Sequence, residues 1–254
     1  MKQKTEHLRP YLADLHVHTV LSPCAEVEMI PPLIVRRATE LALGIIAITD
    51  HNSAENVAAV MKAAEGLDLT VLPGMEVQTR EEVHLLCLFE GLEEVLDWQE
   101  MVYTCLPPEP HVPSLFGPQF VVDTTGGFVR HHERLLATST SLSVEDVAQG
   151  VQERKGLCIA AHVDRPFFSL LANLGFVPPD VPFAAMEITR HADAEDLRRQ
   201  HPSLAGFPFV CSGDAHRLSE ISDRTIFTLH EPTVNEIFMA LRCQEGRTVK
   251  VVDE

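Results

Sequence analysis

At 254 residues, with 45% hydrophobic and 22% charged side chains, the chain has the composition of one ordered globular domain, residues 1–254, with little room for a second. Thirty-seven Asp and Glu against 20 Lys and Arg leave a formal charge of −17, which repels a nucleic-acid backbone from most of the surface and disfavours duplex nucleic acid as a partner. No apolar run approaches the roughly 20 residues that cross a bilayer, no secretory leader is expected, and six cysteines without a C-x-x-C pair fit reduced thiols in a cytoplasmic protein.

The first element is an apolar strand, Tyr11-Leu12-Ala13, running into Asp14-Leu15-His16-Val17-His18-Thr19. Residues two apart on a strand point to one face, so His16 and His18 project side by side. Pro31 and Pro32 then open a helix with Ile34, Ala38 and Leu41 on one face, ended by Gly44. A strand buried on both faces, Ile45 to Ile48, ends in Thr49-Asp50-His51-Asn52. The next helix shows Val57, Val60, Met61 and Ala64, and a strand from Leu69 to Leu72 leads into Pro73-Gly74-Met75-Glu76.

Val83 to Phe89 reads as a strand with His84 near its start, and a helix from about Glu93 to Tyr103 follows. Residues 105–132 break the pattern with five prolines and a hairpin signal at Phe120-Val121-Val122 and Gly126-Gly127-Phe128-Val129, an excursion that is a candidate lid. Ser143 to Asp146 resembles a capping box ahead of a helix with Val144, Val147, Ala148 and Val151 on its face. Strands at Leu157–Ala161, Ala184–Ile188, Pro208–Cys211 and Ile226–Leu229 follow, with helices expected at Phe167–Leu174 and after Thr233. Seven strand–helix units in about 250 residues call for a parallel sheet, closed into a barrel in preference to an open one.

In such a fold the functional surface lies at the carboxyl ends of the strands. There the sequence places His16, His18, His51, Glu76, His162, Asp214 and His216, while His84, near the start of its strand, fits less well, so either that boundary is misplaced or the strand enters from the other direction. Nitrogen and carboxylate donors together suit Zn, Mn or Fe. Nine candidate donors, counting Cys24, exceed one tetrahedral ion and imply two or three with a bridging carboxylate. A two-metal cluster lowers the pKa of bound water towards about 7 and clamps both oxygens of an in-line phosphoryl displacement.

These motifs, with Glu82-Val83-His84-Leu85-Leu86, Ala161-His162 and Ser212-Gly213-Asp214-Ala215-His216, together resemble the PHP family, the polymerase and histidinol phosphatase domain. The resemblance implies a distorted (β/α)7 TIM-like barrel of the α/β class, a trinuclear site and phosphoesterase activity. It also implies that His16, His18, Glu76 and Asp214 hold one ion, that Glu76 bridges to a second held by His84 and His162, and that His51 and His216 hold a third. Glu76, Asp214 and His216 are then the candidate catalytic residues. Where some members carry a histidine, this chain has Cys24, a candidate ligand for the third ion.

The expected activity is hydrolysis of a small phosphorylated substrate, a phosphomonoester or nucleotide phosphate. The alternatives are a proofreading-type exonuclease and a non-catalytic metal-binding regulatory domain. Arg165 and Arg217, each within three residues of a candidate ligand, are candidates for binding the phosphate, with Arg190 and Arg130 weaker. His131, His132, His191 and His230 read as solvated surface residues.

Overall fold

The computed structural model describes residues 7–252. In chain order the elements are β1 (Arg9–Val17), α1 (Pro31–Glu40), β2 (Ile45–Ile48), α2 (Val57–Ala63), β3 (Thr70–Gln78), β4 (His84–Leu88), α3 (Leu92–Thr104) and α4 (Pro113–Phe116). Then come β5 (Phe120–Val122), β6 (Phe128–His131), α5 (Val144–Glu153), β7 (Leu157–Ala160), α6 (Leu170–Leu174) and β8 (Ala185–Ile188). The chain closes with α7 (Ala194–Gln200), β9 (Phe209–Cys211), β10 (Thr225–Leu229), α8 (Val234–Leu241) and β11 (Thr248–Val251).

The main sheet has the order β11-β10-β1-β2-β3-β4-β7-β8-β9. A parallel bridge between Val17 and Ala215 brings the end of β1 against the segment after β9, so the sheet nearly closes into a barrel. The sheet is mixed, not parallel as the strand–helix alternation suggested. β4 runs antiparallel to both β3 and β7, and β10 runs antiparallel to β1 and β11. The five residues between β3 and β4 are too few for a crossover, which takes a dozen or more, so that pair must be a hairpin. The reversal explains His84: the start of an antiparallel strand lies at the same end of the barrel as the finish of its parallel neighbours.

Two apolar layers hold the barrel. Ile46, Ile48, Met75, Val77, Leu85, Cys87, Cys158 and Met186 pack outward against Ile34, Val57, Trp98 and Val147 of the helices. Ala13, Leu15, Ile45, Ala47, Leu86, Ile159, Ala185 and Val210 fill the other face, with Val234 and Ile237 of α8 among them. Each large side chain buried in this way contributes about 1.5–3 kcal/mol. On β1, Ala13 and Leu15 belong to the inner layer but Val17 to the outer, because the register with β2 shifts between Asp14 and Val17. An irregularity of that kind turns the following side chains to the opposite face, which points His16 and then His18 into the barrel.

Local signals set several boundaries. Ser143 and Asp146 form a full capping box, with the Asp146 N–H 3.0 Å from Ser143 Oγ and the Ser143 N–H 2.9 Å from Asp146 Oδ2. The helix expected from Phe167 begins only at Leu170, because Ser169 caps it and Phe168 holds a left-handed φ of 56°. β3 continues through Glu76 to Gln78, where it pairs with His84, and so outruns the strand expected to stop at Leu72. α4, α7 and β11 are short and carry no periodic signal that the sequence reading used.

The excursion contains α4 and the β5–β6 hairpin. Asn52 Nδ2 donates to the carbonyls of Leu136 and Thr138 at 2.7 and 2.8 Å, and Asn56 donates to Phe120 and accepts from the Val122 N–H. His132, expected at the surface, is instead buried, with Nε2 2.9 Å from the Tyr103 hydroxyl. Arg130 pairs with Glu55 and so is engaged outside the strand-end cluster.

Candidate metal centre

Glu76, from β3, sits at the middle of the barrel mouth and is 1% exposed. Its Oε1 lies 3.2 Å from His16 Nε2, 2.9 Å from His84 Nδ1 and 3.4 Å from His162 Nε2; its Oε2 lies 2.8 Å from His51 Nδ1 and 3.4 Å from His18 Nε2. Asp214 Oδ1 adds contacts of 3.2 Å to His16 Nε2 and 3.3 Å to His18 Nε2, and 3.5 Å to His216 Nδ1. Cys24 is exposed, with Sγ 3.3 Å from His51 Nε2. The structure therefore brings together every residue that the sequence offered as a ligand.

Three groups have ligand atoms close enough to share an ion: His16, His18, Glu76 and Asp214; His51, Glu76 and His84; and His18, His51 and His216. The first coincides with the expected set. The others divide differently, with His51 beside Glu76 and His84, and His18 beside His216.

Fit to metal is visible in what the side chains lack. His84 Nε2, His162 Nδ1 and Glu187 Oε1 are buried without a hydrogen-bond partner, and His51 Nδ1 and Glu76 Oε2, though 2.8 Å apart, do not align as a hydrogen bond. Buried polar atoms are almost always paired, because each left unpaired costs about 1–3 kcal/mol or more. His16 Nε2 and His18 Nε2 face each other at 3.1 Å. With both rings neutral and protonated at Nδ1, two lone pairs would repel at that distance, and a shared cation removes the conflict.

Neighbouring groups fix which nitrogen of each ring points inward. His16 Nδ1 donates to Glu187 Oε2 at 3.0 Å, leaving Nε2 as its lone pair. The Ser22 hydroxyl donates to Asp50 Oδ1 at 2.7 Å, so its oxygen accepts from His18 Nδ1 at 2.9 Å, and His18 Nε2 is likewise free to ligate. Carboxylates that orient imidazoles in this way raise their basicity as ligands. Asp14 accepts the N–H groups of His16, Gly213 and Ser222, while burial pushes its carboxyl up to about 7.

The titrations of the cluster pull against one another. Burial opposes the ionised form of Glu76, yet His84, His16 and His51 outweigh it and hold the carboxyl well below its usual range. Asp214 is held low in the same way by His16 and His18. Burial, with His216 and His51, drives His18 well below the ordinary histidine range, whereas Glu187, Asp214 and Glu76 overcome burial to raise His16 well above it. Fixed cations would replace this competition for protons.

Backbone strain gathers at the same place. Asn52, His162 and Asp214 all adopt positive φ, at 48°, 30° and 46°. Such conformations cost about 1–3 kcal/mol in non-glycine residues and persist where the surroundings enforce them, often at functional sites. Gly213 precedes Asp214 because a Cβ there would lie 2.3 Å from the Glu220 carbonyl and 2.8 Å from Asp14 Oδ2.

A cavity of about 630 Å³ opens beside the cluster, lined by His162, Asp214 and His216 together with Arg165, Arg190 and Arg217. Arg165 pairs with Asp214, Arg217 with Glu26 at 2.6 Å, and Arg190 Nε contacts His191 Nε2 at 3.3 Å. Glu187, Asp50 and Ser22 escaped the sequence reading. For Glu187 a signal existed: a carboxylate inside the apolar strand Ala184–Ile188 is costly to bury without a role.

Residues 14–190 match the PHP domain family model. An 80-residue stretch is 35% identical to the 5'-3' exoribonuclease Rnm of Escherichia coli (strain K12); it covers 30% of this chain and 26% of Rnm, so the match spans about a quarter of that relative. The lesion-specific endonuclease PfuEndoQ from Pyrococcus furiosus superposes with a TM-score of 0.68 at 19% identity, over 95% of this chain and 58% of that one. An Endonuclease Q complex with a 27-mer duplex bearing an abasic lesion shares the fold, with a TM-score of 0.65 at 18% identity over 96% of this chain and 60% of that one. A putative metal-dependent phosphoesterase from Bifidobacterium adolescentis has a TM-score of 0.56 at 18% identity, covering 91% of this chain and 95% of its own. With its barrel, its cluster of histidines and carboxylates and a family match over more than half its length, the chain belongs to the PHP domain family.

Proposed function

We propose that the protein hydrolyses a phosphate ester of a small substrate at a centre of two or three divalent ions, with Zn, Mn or Fe as the fitting metals. The observation that carries this reading is the cavity in which Arg165, Arg190 and Arg217 share walls with His162, Asp214 and His216. Guanidinium groups beside a cluster of cation ligands suit a phosphate that must meet both. His16, His18, Glu76, Asp214, His51, His84, His162 and His216 would hold the ions, with Cys24 a further donor near His51. Bound ions would supply Lewis acidity, making water a nucleophile near neutral pH and neutralising phosphate charge.

The chain's own residues do the rest. Glu76 and Asp214 contribute fixed negative charge, and Glu187 and Asp50 hold the His16 and His18 rings. Arg165 bridges towards the cavity from Asp214, placed to exchange that partner for a phosphate oxygen. His216, partly exposed at the rim, donates from Nδ1 to the Asp214 carbonyl at 2.9 Å, which leaves Nε2 to face an ion.

A nuclease is the second reading, favoured by the identity shared with an exoribonuclease. The Endonuclease Q complex also weakens the charge argument against duplex DNA, since a PHP-like fold serves a duplex there. The formal charge of −17 favours the small substrate. No helix among the described residues is long and apolar enough to cross a membrane.

Phosphate release from mononucleotides and sugar phosphates, measured with Mn and with Zn beside single-stranded and duplex oligonucleotides, tests the proposal. Faster turnover of the small esters supports it. Faster release of nucleotides from the oligonucleotides contradicts it.

A further inference from the structure

The turn after β7 carries an aromatic ring that the metal centre does not account for. Phe168 lies over His84 with ring centroids 4.9 Å apart and planes 18° apart, and the residue remains 44% exposed. One face of its ring therefore covers a candidate ligand while the rest meets solvent. Its φ of 56° is one that bulky side chains rarely adopt, and the turn enforces it. The His84 N–H donates to the Phe168 carbonyl at 3.0 Å, the Arg165 N–H donates to the His162 carbonyl at 2.9 Å, and the Ser169 hydroxyl donates to the Arg165 carbonyl at 2.7 Å. Phe167, beside it, is 72% exposed.

This one turn thus presents, in order, His162 against Glu76, Arg165 on the cavity wall and, beyond that wall, the part-exposed Phe168 over His84. A ligand, a phosphate-binding cation and a flat apolar surface within seven residues match the three parts of a nucleotide held by its phosphate. Simple shielding of His84 does not require a ring with an exposed face, since an aliphatic side chain would cover the imidazole as well.

We propose that Phe168 is a specificity-determining residue, the stacking platform for the base of a nucleoside phosphate whose phosphate lies at Arg165 and the metal centre. The proposal rests on the phosphoesterase reading for its catalytic half and narrows the substrate from phosphomonoesters in general to nucleotides. Stacking on an aromatic face tolerates any base, so selection among bases is weak while selection for a base over an aliphatic leaving group is strong.

The test compares the metal-loaded wild type with Phe168→Leu and Phe168→Trp. KM and kcat are measured for adenosine monophosphate and for glycerol phosphate, alongside binding of adenosine, which carries no phosphate, by saturation-transfer NMR in chelator-treated protein. Leu keeps apolar cover over His84 but offers no aromatic face; Trp enlarges the face. We expect Phe168→Leu to raise KM for adenosine monophosphate about tenfold, leave glycerol phosphate within about twofold, and abolish the adenosine signal, while Phe168→Trp retains all three. Equal losses on both esters, or an adenosine signal unchanged in Phe168→Leu, overturn the platform. If the wild type hydrolyses neither ester yet binds adenosine through Phe168, the platform stands and the phosphoesterase reading falls.

Discussion

Glu187 Oε2 lies 3.0 Å from His16 Nδ1 and also accepts the His162 backbone N–H at 2.9 Å, so one buried carboxylate orients candidate ligands from two separate segments. A neutral amide can still accept a hydrogen bond but loses the charge that strengthens the imidazole as a donor. Glu187→Gln should therefore fold normally and bind Zn about 10- to 100-fold more weakly than wild type, measured by competition with a chromogenic chelator. Unchanged affinity would show that the contact serves packing alone.

Cys24 gives a second expectation. One side of Cys24 meets solvent while the groups packed round the rest push its thiol up from the usual value near 9, but hydrogen bonds with His216 and His51 outweigh that effect and bring it down to about 6. In chelator-treated protein the alkylation rate should rise with pH through a midpoint near 6, as the thiolate replaces the thiol, and added Zn should protect the sulfur. Cys24→Ser should lose one ion selectively, because a hydroxyl is a poor substitute for thiolate at Zn. A full complement of ions in Cys24→Ser would reject the ligand role.

Away from the centre, the excursion should be tied down by Glu55. Hydrogen bonding with His132, aided by Arg130 and opposed by burial, holds its carboxyl down to about 2, below the ordinary value of 4.5. A carboxylate whose pKa falls on folding stabilises the native state above the unfolded pKa and loses that contribution as pH falls through the folded one. Between pH 4.5 and about 2, wild type should lose stability more steeply than Glu55→Gln in urea titrations. Parallel pH profiles for the two proteins would refute the pairing.

Much of this molecule could be read before its structure. The His-x-His strand, the strand-end positions of His51, His162 and His216, and the cap at Ser143 follow from local periodicity and chemistry. Strand direction was less legible, because alternation of elements carries no sign; the signals of the hairpin are His84 at the start of its strand and the short Gln78-to-His84 link. The roles of Glu187 and Asp50 depend on partners far away in sequence, and Glu187 reaches His16 across 171 positions. His132 likewise looked solvated because its partner, Tyr103, belongs to a different element.

If Glu76 joins ions which the surrounding histidines share, those ions depend on its charge. Metal content per chain, measured by inductively coupled plasma mass spectrometry after reconstitution and desalting, tests it most directly in wild type, Glu76→Gln and His131→Ala. Removing the bridging charge should matter far more than altering an exposed histidine of the excursion. Two to three ions are expected in wild type and in His131→Ala, and a loss of at least one ion in Glu76→Gln with the fold intact by circular dichroism. Wild type that retains no metal, or Glu76→Gln that retains all of it, would rule out a bridging Glu76.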